Sequence, residues 1–198
     1  MAAAKEKMDI KLKKCTTPEF RASFANVHKA KSAFEGQEEK FSVVMLFPKK
    51  GSLKDLERCY VNAGTEMWGP DKTKWPKNLV KPFKDGDEKT QWEGYAGHIA
   101  VTASSKQRPG IVDNELNDLI SPEDFYSGCY ARATVIAFAW TKMGKNGISF
   151  SLQNLQKLRD GKQFSGRKKA SEEFERVENT SDSPDSYGDS DQAASDFG

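Results

Sequence analysis

The stretch CYARATVIAFAWT, residues 129–141, is the strongest constraint on the fold. Tyr130, Arg132 and Thr134 share one parity, and Ala131, Ala133 and Val135 share the other. Side chains alternate across a strand, so one face is aromatic and cationic while the opposite face is small and apolar. The turn KMGKNG follows, and ISFSLQNLQ (148–156) pairs back as the second arm of a hairpin. A chain organised around such a hairpin needs further strands to cover the apolar face.

Those strands are legible upstream. MDIKLK alternates Met8, Ile10 and Leu12 with charges. In FRASFA, Phe20, Ala22 and Phe24 take one face and Arg21 and Ser23 the other. KFSVVMLFPKK (40–50) is β-branched and aromatic and stops at Pro48, as a buried strand would. GHIAVTASS (97–105) reads as another strand, closed by a turn at RPG. Between them the period changes: Leu53, Leu56, Tyr60, Ala63 and Met67 recur at steps of three and four. This predicts an amphipathic helix over 52–66, with Ser52 and Asp55 as a capping box. Residues 111–126 are ambiguous, with a short helix around NELNDLI as one option. Five or six strands, one main helix and no β-α-β alternation predict a mainly β fold, closed as a small Greek-key barrel or a sandwich.

Residues 68–95 hold three prolines and no sustained period. Long loops of this kind usually carry function. In this loop Trp68, Trp75, Phe83, Trp92 and Tyr95 interleave with Lys72, Lys74, Lys77, Lys81, Lys84 and Lys89. Aromatic faces for bases and cations for phosphates are what a single-stranded nucleic acid needs. The competing account is that the tryptophans pin the loop to the core, which is favoured for Trp68 beside the helix end. A second set lies on or near strands: Arg21, Lys29, Lys31, Phe34, Lys106, Arg108, Tyr126, Tyr130 and Arg132.

Charge is distributed unevenly. Residues 171–198 hold nine acidic residues and one basic, a net charge of −8, whereas residues 1–170 hold 30 basic and 20 acidic, a net charge of +10. The contrast predicts a folded body over 1–170 that attracts a polyanion and a disordered acidic tail over 171–198 that competes for it.

Other chemistry is poorly supported. Phosphate-loop, dinucleotide and nucleophile-elbow motifs are absent, and His28 and His98 stand alone. Cys15, Cys59 and Cys129 are far apart and match no metal-ligand or disulfide spacing. Asp113, Glu115, Asp118, Glu123 and Asp124 keep open a metal-dependent nuclease or recombination enzyme, and a protein-interaction scaffold is a third reading. No catalytic residue, cofactor or metal is expected. No run approaches the roughly 18 apolar residues of a membrane span, and MDIKLKK and its upstream residues lack the apolar core of a secretory signal, so an intracellular protein is expected.

FYSGCYARATVIAFAW, with GKNGISFSLQNLQKLRDGKQFSG, resembles the C-terminal half of a phage family of single-stranded DNA-binding proteins. KFSVVMLFPKKGSLKDL and GHIAVTASSKQRPGIVD resemble that family's central strand and helix and its next strand and turn. The likeness covers roughly residues 18–166. It implies an oligonucleotide/oligosaccharide-binding (OB) fold and sequence-independent binding of single-stranded DNA, or RNA as an alternative, without catalysis. It also implies a role in phage replication or recombination, in the cytoplasm of the infected host cell. Asp189, Asp191, Asp196 and Phe197 match the acidic, aromatic-ended tails with which such proteins dock polymerases or helicases, with Gly198 as a departure. A second departure is the helix, which follows an early strand where the usual barrel places it later.

Overall fold

The computed structural model of the chain describes residues 12–32, 36–89 and 91–164. They belong to one unit and form nine paired strands and one long helix. The strands are β1 Lys14–Thr16, β2 Phe20–Lys31, β3 Lys40–Pro48, β4 Leu79–Val80, β5 Phe83–Asp85, β6 His98–Ser105, β7 Gly110–Val112, β8 Tyr130–Lys142 and β9 Lys145–Arg159. The helix α1 is Lys54–Trp68.

Five strands close on themselves in the order β2-β3-β6-β9-β8, because β8 pairs with both β9 and β2. All pairings round the ring are antiparallel except β6 with β9, which is parallel. Chain order is kept from β2 through β6 and then reversed for the last two strands. This makes a closed Greek-key barrel of the OB type. The short strands β1, β4, β5 and β7 attach to its edges.

Cross-strand register explains the two faces. Val43 lies opposite Ala103, Ala103 opposite Phe150, and Phe150 opposite Ala137, and all four are buried in the barrel. One residue further along, Ser42, Ser104, Ser151 and Ile136 form the neighbouring row, only partly buried. Strand pleating sends alternate rows to opposite faces, so the first row is core and the second is outer surface. The alternation along β8 is seen as expected: Ala131, Ala133, Val135 and Ala137 are buried, while Arg132 and Phe138 are exposed.

The helix begins two residues later than the period suggested and ends two residues later, at the same length of 15 residues. Its N-cap is Leu53, with no side-chain cap, so the Ser52–Asp55 box does not form; Asp55 accepts a 3.0 Å hydrogen bond from Arg58 instead. Leu56, Cys59 and Ala63 enter the core, and Met67 is left 44% exposed. α1 lies between the second and third barrel strands, and closure is unaffected because β3 and β6 still pair directly over eight residues.

Three other expectations change. Met8 and Ile10 lie outside the described residues, while Leu12 and Lys13 are helical rather than extended. In β2, Phe24 has φ +45° and the register with β3 shifts between Ser23 and Asn26. This irregularity turns the strand, so Phe24 leaves the Phe20/Ala22 face and is 48% exposed. No helix forms around NELNDLI; Asp113 caps that turn by accepting from the backbone of Glu115 and Asn117 and from the Asn117 amide. Its carboxyl is thereby held below the ordinary range, first through the Asn117 side chain.

The three cysteines are free and buried. Burial pushes the Cys15 thiol up to about 12 and the Cys129 thiol up to about 11. Thiolates are the reactive species. The native chain is therefore expected to resist thiol-exchange reagents at pH 8 and to titrate three thiols only on unfolding; rapid labelling of the folded protein would contradict this packing.

Candidate nucleic-acid interface

The outer row of the barrel is built from small polar residues. Asn26 lies opposite Ser42, Ser42 opposite Ser104, and Ser104 opposite Ser151. On the same outer parity are Thr102, which is exposed, and Ser149, opposite Phe138. Side chains this small leave the strands in low relief, and their hydroxyls both donate and accept hydrogen bonds. OB barrels bind oligonucleotides across the second and third strands and the connections that flank them. Here those are β3 and β6, with the β2–β3 and β8–β9 hairpins on either side.

Exposed aromatic residues border this band. Phe24 and Trp92 meet edge to face with ring centroids 5.2 Å apart, and Trp92 meets Tyr95 at 5.0 Å. Trp92 is 39% exposed, with the Lys89 ammonium 5.4 Å from its ring centre. The loop that carries it is anchored away from the indole. Lys49 pairs with Asp85 and Asp87 at 2.5 and 2.6 Å, and the other Asp87 oxygen accepts from the Gly97 amide at 2.6 Å. The Lys49 ammonium holds both carboxyls below their usual range. Gly86 is required there, because a Cβ would sit 2.1 Å from the Tyr95 carbonyl oxygen. Tyr95 itself is 2% exposed and packs on Leu46 and Ala100.

On β8, Phe138 is 43% exposed. Trp140 donates from Nε1 to Ser149 Oγ at 2.9 Å and lies flat where Gly147 has no side chain. The hairpin turns at Met143 and Gly144, both with positive φ (+50° and +74°), as a two-residue β-turn requires. Its last pair is Lys142 opposite Lys145. At the end of the other hairpin Lys31 lies opposite Lys40. Facing like charges disfavour pairing, and among the described residues none of these four lysines has an ion-pair partner.

The residues expected from sequence fall into three groups. Trp75 and Tyr95 are not open to a base. Trp75 is 9% exposed, stacked in tilted contact with Tyr60 and Trp68 over Gly64, and its Nε1 donates to the Gly69 carbonyl at 2.9 Å. The short loop pins this ring to α1, so the core-pinning account holds for Trp75 as well as Trp68. Lys72, Lys74 and Lys77, beside it in sequence, are exposed next to the helix end, with Lys74 3.8 Å from Asp71.

A second group is engaged within the protein. Arg21 donates to the carbonyls of Gly128 and Lys162 and lies 4.0 Å from the Phe164 ring centre. Tyr130 has Arg159 at 3.4 Å and Arg21 at 5.7 Å from its ring centre. Tyr126 donates to Asp160 at 2.8 Å, and Arg132 donates to Gln156 at 2.7 Å. Arg108 contacts His28 Nδ1 at 3.2 Å, and burial followed by the Arg108 charge lowers the His28 pKa. The third group, Lys29, Lys31, Lys106 and Trp92, is exposed beside the band. Phe34 and the residues Asp189, Asp191, Asp196 and Phe197 lie outside the described residues.

Sequence reasoning missed Phe24 as an outward residue, and Lys40, Phe138, Trp140, Lys142 and Lys145 altogether. Extending the Tyr130/Arg132/Thr134 parity four residues would have found Phe138. Among the described residues no three carboxylate, histidine or cysteine groups converge as metal ligands, including those of 113–124, and no helix is long and apolar enough to cross a membrane.

The fold is shared with proteins of known structure. The protein p50 of Acyrthosiphon pisum secondary endosymbiont phage 1 is 43% identical over 141 residues, 70% of either chain. The single-stranded DNA-binding protein from bacteriophage Enc34, solved in complex with ssDNA, superposes with a TM-score of 0.65 at 22% identity, over 77% of this chain and 89% of that one. The gp2.5 single-stranded DNA-binding protein encoded by bacteriophage T7 superposes with a TM-score of 0.50 at 12% identity, over 83% and 98% of the two chains. The family model of the Enterobacter phage Enc34 ssDNA-binding protein matches residues 13–184, and the chain belongs to that family.

Proposed function

We propose that this chain binds single-stranded DNA without sequence preference and without catalysis, along the outer face of β3, β6 and β9. The observation that carries the reading is the band of Ser42, Ser104, Ser149 and Ser151 bordered by the exposed rings of Trp92 and Phe138 and by the facing lysines Lys31/Lys40 and Lys142/Lys145 at the two hairpin ends. Phosphates run over the serine hydroxyls and amines, and bases stack on the rings. Lys29 and Lys31 extend the cationic surface. Arg21, Arg132, Tyr126 and Tyr130 act in support, by holding the 157–164 segment and the start of β8 in place. Family membership supports the same reading and a role in phage DNA replication or recombination within an infected cell.

The acidic residues of 171–198 are proposed to compete with DNA for this surface, and Asp189, Asp191, Asp196 and Phe197 to dock replication proteins. The −8 and +10 charges of the two segments support this. The test is fluorescence anisotropy of a labelled oligo-dT with the full chain and with residues 1–170. Tighter binding by the shorter chain, with a difference that shrinks as salt rises, is expected. Equal affinity would reduce the acidic segment to a spacer, and no binding by either chain would refute the function.

Replacing both Lys142 and Lys145 by glutamine should flatten the slope of log affinity against log salt by about 0.7 for each phosphate left without its ammonium. An unchanged slope would place the strand away from the β8–β9 hairpin.

A further inference from the structure

One carboxylate in the β2–β3 connection is paired with the end of β6 and feels the charge of the β8–β9 hairpin. Glu38, in the β2–β3 connection, accepts a hydrogen bond from the Lys106 ammonium at 2.7 Å. Lys106 follows Ser105, which lies opposite Phe41, so it leaves β6 next to Lys40. Lys142, at the end of β8, also acts on the Glu38 carboxyl, as does Lys40. The Lys106 hydrogen bond, then the charges of Lys106, Lys40 and Lys142, hold that carboxyl below its ordinary range. Lys31 faces Lys40 across the hairpin. Glu38 is therefore paired with Lys106 and feels the charges of Lys40 and Lys142 from the two hairpins. A fold gains nothing from crowding like charges unless an anion is present.

We infer that this junction is a phosphate subsite for the bound strand, and that Glu38 occupies it in the free protein. The inference rests on the single-strand reading above and adds a residue-level regulation to it. A carboxylate 2.7 Å from Lys106 takes the donor that a phosphodiester oxygen would use. The pair is readily displaced, since both side chains are more than half exposed (70% for Lys106 and 54% for Glu38) and water screens their attraction. On binding, a phosphate takes Lys106, and Glu38 turns out to solvent. The resident carboxylate sets a threshold: only an anion with several linked charges can engage Lys40, Lys106 and Lys142 together and displace it. Glu39, its exposed neighbour in sequence, has no ion-pair partner among the described residues and so makes a charge-matched control.

The experiment is oligo-dT anisotropy with full-length wild type, Glu38→Gln, Glu39→Gln, Lys106→Gln and the Glu38→Gln/Lys106→Gln pair, at low and high salt. Glu38→Gln is expected to tighten binding about two- to fivefold at low salt, the scale of one exposed ion pair, and to lose that gain at high salt. Glu39→Gln should shift affinity less. Lys106→Gln should weaken binding, and adding Glu38→Gln to it should recover little, because the two changes act through one interaction. Equal effects of Glu38→Gln and Glu39→Gln would reduce the result to net charge and overturn the inference. Weaker binding by Glu38→Gln would also overturn it, by making Glu38 an organiser of the site. Absence of binding by wild type would overturn the function itself, a failure seen before any variant is compared.

Discussion

Trp92→Ala lowers the affinity of the full chain for oligo-dT about 5- to 150-fold, the range given by a loss of roughly 1–3 kcal/mol for one base stack. The effect is specific to binding because the indole carries little of the fold. It is 39% exposed, and the loop that presents it is held by Lys49 with Asp85 and Asp87, by the close approach of Gly86 to Tyr95, and by Tyr95 on Leu46 and Ala100. Substitutions at such positions change stability by about 0.5 kcal/mol or less. The readouts are therefore anisotropy for affinity and denaturant unfolding for stability. Phe138→Ala, on the other border of the band, should behave in the same way. Loss of stability with unchanged affinity would mean that Trp92 is a structural ring and that the strand runs elsewhere.

Trp75→Ala gives the opposite pattern. Removing a large buried aromatic residue costs about 3–5 kcal/mol, from the transfer free energy of the ring and from the cavity left behind. Here the cavity lies between Tyr60, Trp68 and Gly64, whose missing side chain lets the indole lie 2.2 Å from where its Cβ would be. The Gly69 carbonyl also loses its donor. The denaturant midpoint should fall steeply, while oligo-dT affinity, measured where the variant is still folded, should hold. A binding defect at full foldedness would return Trp75 to the interface.

These two tryptophans mark the limit of reading the chain by itself. Both sit in a polar, lysine-rich, proline-broken segment, and local pattern treats them alike. What separates them is three-dimensional: Trp75 is close enough to α1 to fold back on Gly64, whereas Trp92 lies past the Lys49 anchor and meets Phe24 and Tyr95 edge to face while staying 39% exposed. Similarly, Arg21, Tyr126, Tyr130 and Arg132 have the residue types of a binding face, yet their hydrogen bonds and ring contacts are used within the protein. A residue type states what a group is able to touch; what it does touch depends on partners distant in sequence, such as Phe164 for Arg21 and Asp160 for Tyr126.

The amino-acid sequence by itself determined the mainly β class, the β3 and β6 strands, the single long helix and the β8–β9 hairpin. Period-two and period-3.6 patterns are local, and burial of one face enforces them directly. It also set the parity of β8, because Ala131, Ala133 and Val135 are small and apolar enough to face only a core. Tertiary structure alone decided the rest. Ring closure depends on the parallel pairing of β6 with β9, which joins segments with no local signal for it. The outward turn of Phe24 comes from a register shift against β3. The pairing of Glu38 with Lys106, within reach of the charges of Lys40 and Lys142, brings together the β2–β3 connection, the end of β6 and the end of β8. Such convergence depends on long-range pairing geometry, and no local period encodes it.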